Sequence, residues 1–177
     1  MFWMQGYRAT SYRDLMKATR LSKQSLYCAF GDKRELFLKA LRYYREQNAA
    51  ALESLGRQHR SALDALRETM THAAFRSELT HCPPGCLAAN TTLEIGSGDP
   101  DILHELKAIN DLLSHHFNTL LREGQSEGQI TTAIPSKALA RFLLNALNGI
   151  QILEKAETPK RDIQSVIDVT LQTIRAE

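Results

Sequence analysis

Ala9-Thr10-Ser11-Tyr12-Arg13-Asp14-Leu15, followed by Leu21-Ser22-Lys23-Gln24-Ser25-Leu26-Tyr27-Cys28-Ala29-Phe30-Gly31-Asp32-Lys33, is the stretch on which the reading of the fold turns. Thr10 or Ser11 can cap a short helix reaching about Thr19, because a side-chain oxygen there accepts an amide proton that the first turn leaves unpaired. Ser22 caps a second helix through about Ala29, and Gly31 ends it. Asp32 and Glu35, three positions apart, form a capping-box-like start for a long helix with Leu36, Phe37, Ala40, Leu41 and Tyr44 at its apolar positions. Two short capped helices, a tight turn and a long helix make a helix-turn-helix arrangement.

Outside this stretch, the 177 residues are 43% hydrophobic, enough to bury a core in one or two small domains. No apolar run approaches the roughly 18 residues that span a bilayer, and Met1-Phe2-Trp3-Met4 is too short for a secretion signal. Three cysteines, an odd number, argue against a disulfide framework, so a reduced, cytoplasmic location is expected. Charge is uneven. Residues 1–45 hold ten Lys/Arg against three acids, a surplus of seven in a chain whose net charge is only +2. A basic first quarter on an acidic remainder suggests a polyanion-binding head on a body with no such partner.

The remainder has helical period and no convincing strand. The long helix is expected to stop at Gly56. The next covers about Ser61 to Leu79, with Leu63, Leu66, Met70, Ala73 and Ala74 at helical spacing. Pro83-Pro84 forces a break, and a shorter helix follows from about Gly85 to Ile95. Asp99-Pro100 opens a helix to about Glu127. Pro135-Ser136 opens a strongly apolar one through Ala138, Leu139, Phe142, Leu143, Ala146, Leu147 and Ile150. Thr158-Pro159 opens the last, through Ile163, Val166, Ile167, Thr170, Leu171 and Ile174. The expected class is all-α, with an N-terminal helix-turn-helix domain over 1–45 and a second helical domain over 46–177.

Gly6-Tyr7-x-x-Thr10-Ser11, Leu15-x-x-Ala18 and Leu21-Ser22-Lys23-x-Ser25-Leu26-Tyr27-x-x-Phe30-Gly31-Asp32-Lys33-x-x-Leu36 together resemble the DNA-binding domain of TetR/AcrR-type repressors, which implies a repressor released from a palindromic operator. Pro84-Gly85-Cys86-Leu87 with Asn90 and Glu94 also looks like a stretch in one branch of that family's ligand-binding domains. The resemblance implies an all-helical homodimer paired through its last two helices, here near 136–155 and 160–175. It further implies a double-stranded DNA operator and a small-molecule effector whose pocket controls the spacing of the two heads. One departure stands at the start. Only five residues precede Gly6, so the first helix is expected to be truncated, with either a natural start upstream of Met1 or a loosened head.

On the second short helix Leu26 and Phe30 are four apart and should face the core, leaving Lys23, Gln24, Tyr27 and Cys28 outward. Lys23 can reach phosphate or a guanine edge, and the Gln24 amide can pair bidentately with adenine. Ser22, Ser25 and the Tyr27 hydroxyl suit phosphate, as do Thr10, Ser11 and Lys33 at helix N-termini. The resemblance points to Lys23, Tyr27 and Lys33 among these. Ser22 and Thr10 would cap in any case. Family members often carry an aromatic or His at the positions of Cys28 and Ala29, so the resemblance leaves the operator sequence open.

In the body, Phe75, Leu87, Asn90, Glu94, Leu113, His116 and Phe117 are candidates for the effector pocket, with Asn90, Glu94 and His116 as its polar anchors. Ordinary core is the competing reading for each apolar member. Cys86, if it lies in a first helical turn, could form a reactive thiolate and make the chain an oxidant or electrophile sensor; a buried, inert cysteine is the commoner case. A helical dimer with impaired DNA binding is the other alternative. No metal site is expected from His81, Cys82 and Cys86, since two prolines stiffen the spacer and no fourth ligand is near. No cofactor is called for. The absence of a Gly-rich phosphate loop, a G-x-S-x-G elbow or an H-E-x-x-H pair argues against an enzyme.

Overall fold

The computed structural model describes residues 1–55 and 61–176. Among these residues the chain forms ten α-helices, and its extended pairing is an isolated antiparallel bridge between Ile130 and Arg175. The residues divide into two compact units. One combines Met1–Gln47 with Cys86–Ile109, and the other combines Asn48–Gly85 with Asn110–Glu177.

The first unit holds α1 (Phe2–Gln5), α2 (Tyr12–Thr19), α3 (Lys23–Phe30), the start of α4 (Lys33–Leu55), α7 (Leu87–Glu94) and the start of α8 (Pro100–Ser126). Its core gathers Leu15, Leu26, Phe37, Leu41, Leu87, Ile102 and Leu106. The helix starts follow the sequence chemistry. Asp32 N–H donates to Glu35 Oε2 at 3.0 Å while Glu35 N–H donates to Asp32 Oδ1 at 2.8 Å, a reciprocal box at the head of α4. Gly31 turns the chain out of α3 at φ +81, a conformation that L side chains rarely adopt. Asp99 Oδ1 accepts from the Ile102 amide at 3.2 Å, and Pro100 is the first residue of α8. The single turn of α1 docks through aromatic edges: the Phe2 and Trp3 rings lie 4.9 and 5.0 Å from those of Phe37 and Tyr44.

The second unit holds α5 (Ala62–Ala74), α6 (Arg76–Thr80), α9 (Ser136–Lys155), α10 (Lys160–Gln172) and the rest of α8. Leu66, Met70, Phe117, Leu121, Leu143, Leu147, Ile163 and Ile167 form its core. The expected single helix over 61–79 is in fact two. Phe75, at φ −117 and ψ 22, leaves the helical region and ends α5 while its ring packs on the core. No Gly or Pro marks this break, so periodicity runs through it. The helix expected from Gly85 begins instead at Leu87, with Gly85 at φ +80 outside it. The expected stop at Gly56 lies outside the described residues. Leu139, Leu143, Leu147 and Ile150 on α9, with Ile163, Ile167, Leu171 and Ile174 in or just after α10, are buried inside this unit. The large apolar side chains that α9 and α10 leave exposed are Phe142, Ile152, Val166 and Val169.

Candidate nucleic-acid interface

The Ser22 hydroxyl oxygen accepts the Ser25 amide at 3.0 Å and lies 2.9 Å from the Ser25 hydroxyl, so α3 starts on a side-chain cap. One turn later Leu26 is only 1% exposed, which fixes the rotation of the helix. Lys23, Gln24, Tyr27 and Cys28 then point to solvent, with Tyr27 61% exposed. Lys23 Nζ rests 5.1 Å from the Tyr12 ring centroid, close enough for a cation–π contact that orients the ammonium without burying it.

Preceding this helix, α2 carries a second reciprocal box. Asp14 N–H donates to Ser11 Oγ at 3.2 Å, and Ser11 N–H and Oγ donate to Asp14 Oδ2 at 2.9 and 2.6 Å. The Ser11 hydroxyl, the largest influence, holds the Asp14 carboxyl below its ordinary value. Arg13, Lys17 and Arg20 lie exposed on and just after α2, beside a helix with no exposed acid of its own. These three cations belong to no helix-cap or recognition-helix motif, although the charge surplus of the first 45 residues contains them.

Two expected phosphate contacts are placed differently. Thr10 is fully buried, and its hydroxyl donates to the Gly6 carbonyl at 2.6 Å, so its side chain braces the loop between α1 and α2. Lys33 Nζ donates to the carbonyls of Tyr7 and Thr10 at 3.0 and 2.9 Å and lies 4.5 Å from the Tyr7 ring centroid. Its ammonium is engaged by the protein itself. Ser11, Ser22, Lys23, Gln24, Ser25 and Tyr27 remain at the surface.

Residues 1–40 match the family model described as bacterial regulatory proteins, tetR family, and residues 62–169 match that described as tetracyclin repressor-like, C-terminal domain. The chain belongs to the TetR family. It is a DNA-binding transcriptional regulator of that family, all-helical as its class requires. Among TetR-family relatives, an uncharacterized HTH-type transcriptional regulator of Bacillus subtilis, YezE, is 27% identical over 98% of this chain and 90% of its own. The HTH-type transcriptional repressor ComR of Escherichia coli is 27% identical over 97% and 82%. The TetR family regulator CifR, solved as a cysteine mutant complexed with 26bp double-strand operator DNA, superposes with a TM-score of 0.84 at 26% identity, covering 97% of this chain and 90% of that one.

The TetR-family body distributes the pocket candidates between the two units. Phe75, Leu113, His116 and Phe117 belong to the second; Leu87, Asn90 and Glu94 belong to the first. Phe117 has no exposure and is core. His116 Nε2 lies 3.1 Å from the Thr69 hydroxyl, a buried partner on α5 that sequence spacing does not reveal. On the same helix, burial first and the nearby Arg76 second keep the His72 imidazole below its ordinary value. Glu94 is committed: its Oε2 and Oε1 accept the Tyr7 and Arg8 amides at 2.8 and 2.6 Å, so it is no free anchor for a ligand. An apolar recess of about 350 Å³ in the second unit is lined by other residues, among them Ile134, Ala138, Phe142 and Ile174.

Cys86 is the N-cap of α7 rather than a member of its first turn. It is buried, its sulfur accepts the Ala89 amide at 3.4 Å, and it lies 3.4 Å from the Tyr44 hydroxyl. That placement gives no support to a covalent sensor, because the thiol faces protein. Among the described residues no group of three or more His, Cys, Asp or Glu is placed to hold a metal ion, and no helix is long and apolar enough to cross a membrane.

Proposed function

We propose that this regulator is a repressor that two copies of the chain place on a palindromic operator, each inserting the outward face of α3 into the major groove. Lys23 and Gln24 read base edges and phosphate, and Ser11, Ser22, Ser25 and Tyr27 grip the backbone. The observation that carries this reading is the exposure of Lys23, Gln24 and Tyr27 on a capped helix whose opposite side, Leu26, is sealed in the core. Residues 1–45 act as the DNA-binding domain, and 46–177 as the effector-binding and dimerising one. The helices near 136–155 and 160–175 pair the protomers, using the outward Phe142, Ile152, Val166 and Val169. A small molecule bound in the body favours a head spacing that no longer fits two successive grooves, and DNA is released by population shift. ComR's description as a repressor and CifR's operator complex support the same assignment. The protein works in the cytoplasm, without a cofactor, and catalyses no reaction.

The test is a gel-shift titration of a duplex taken from beside the chain's own gene, at several salt concentrations. Wild-type binding should weaken steeply with salt, and Lys23→Ala should lower the slope of log affinity against log salt by about 0.9 for each phosphate it no longer neutralises. An unchanged slope and affinity in Lys23→Ala would remove α3 from the interface.

A further inference from the structure

Residues Gly6 to Thr10 join α1 to α2 and carry a dense set of charged contacts within the first unit. From one side the Glu94 carboxylate, at the last residue of α7, takes the consecutive amides of Tyr7 and Arg8, one on each oxygen, at 2.8 and 2.6 Å. From the other, Lys33 Nζ donates to the carbonyls of Tyr7 and Thr10 at 3.0 and 2.9 Å. An anion on the N–H groups and a cation on the C=O groups fix both edges of one peptide segment, and charge-assisted bonds of this kind are among the stronger hydrogen bonds a protein makes. Gly6 completes the fit. It sits at φ +87, and a Cβ there would come within 2.7 Å of Glu94 Oε2, so a side chain at this position would push the carboxylate off its amides. Ser11, the next residue after this segment, caps α2, and α2 is the neighbour of α3.

We propose that Glu94 is a positioning residue for operator binding: it touches no DNA, and by holding the Tyr7–Arg8 amides it sets where α2 and α3 stand. The proposal rests on the DNA-binding reading above. It also makes an unusual demand of sign. On charge alone, neutralising an acid beside a basic head should tighten binding to a polyanion. As a positioning residue, Glu94 should weaken binding when neutralised.

The experiment uses the full chain, with a duplex that the wild type selects from a random-sequence pool. Glu94→Gln keeps one acceptor oxygen and should bind that duplex a few-fold more weakly, and Glu94→Ala about tenfold more weakly, as expected for removal of hydrogen bonds to a charged group. The salt slope should stay at the wild-type value, because every phosphate remains neutralised as before. Affinity is counted per active molecule from a stoichiometric titration, so a merely unfolded fraction does not register. Glu46→Gln, an exposed acid on α4, supplies the pure charge effect. Hydrogen exchange at the Tyr7 and Arg8 amides should speed up in both Glu94 variants. Affinity equal to or tighter than wild type in Glu94→Ala, with faster exchange at those amides, overturns the proposal and leaves the DNA-binding reading intact. Unchanged exchange also overturns it. A wild type that selects no duplex overturns the DNA-binding reading and this inference with it.

Discussion

Truncating Phe142 should pull the protomers apart. Phe142 sits on α9, 44% exposed, and with Ile152 of α9 and Val166 and Val169 of α10 it is one of the large apolar side chains these two helices leave open. A phenylalanine side chain offers about 200 Å² to solvent. At the observed exposure about 90 Å² remains open, worth about 2 kcal/mol at about 25 cal/mol per Å² if a partner covers it. A twofold axis uses the residue twice, so Phe142→Ala should cost the dimer about 4 kcal/mol, close to a thousandfold in its dissociation constant. Sedimentation equilibrium over a concentration series measures this directly. Leu93→Ala provides the contrast, since Leu93 is 81% exposed on α7, which is not one of the proposed pairing helices, and should leave the constant unchanged. A Phe142→Ala dimer as tight as wild type would refute the assignment of this face, and equal weakening by both variants would refute the reasoning from exposed area.

Leu26→Ala should destabilise the head by about 2–5 kcal/mol, because removing a fully buried side chain forfeits its packing and opens a cavity; denaturant unfolding followed at the first unit checks it, and a cost under about 1 kcal/mol would contradict the packing described. The Arg34 guanidinium hydrogen-bonds Asp99 at 2.5 and 2.7 Å and lowers its carboxyl from 3.8 to about 2. A pKa depressed in the folded state gives stability that is present above 3.8 and is lost as pH falls from there toward 2. Arg34→Gln should flatten that part of the stability profile, and an unaltered profile would show the pair to be inert. The three thiols should alkylate in the order Cys28, Cys82, Cys86, following exposed, half-buried and buried positions; mass spectrometry of a time course in which Cys86 reacts first would reopen the sensor reading.

The parts of the fold that announce themselves locally were legible in the sequence. Ser11, Ser22, Asp32 with Glu35, and Asp99-Pro100 all mark helix starts, because a cap is decided within four residues. The outward face of α3 followed from the spacing of Leu26 and Phe30. What stayed hidden depends on contacts far apart in sequence. Glu94 meets the Tyr7 amide 87 positions away, so a side chain read as a pocket anchor is spent on the head. Thr10 has the chemistry of a cap but is turned inward by its bond to Gly6. The break at Phe75 carries no local signal, since neither Gly nor Pro stands there and the ring's packing on the core is a long-range contact. Periodicity also grouped Phe142 and Val166 with the buried residues of α9 and α10, because an apolar side chain beside the buried stripe carries no local mark of being left open.

The most direct test of the whole account is selection of binding sites from a random-sequence duplex pool by the wild type and by Gln24→Ala in parallel. The wild type should enrich a palindrome whose half-sites lie about 34–36 Å, or a multiple of that turn, apart. Gln24→Ala should keep the palindrome and lose preference at one symmetry-related pair of positions. Enrichment of a site without twofold symmetry, or identical preferences from both proteins, would contradict the claim that paired α3 helices read the operator.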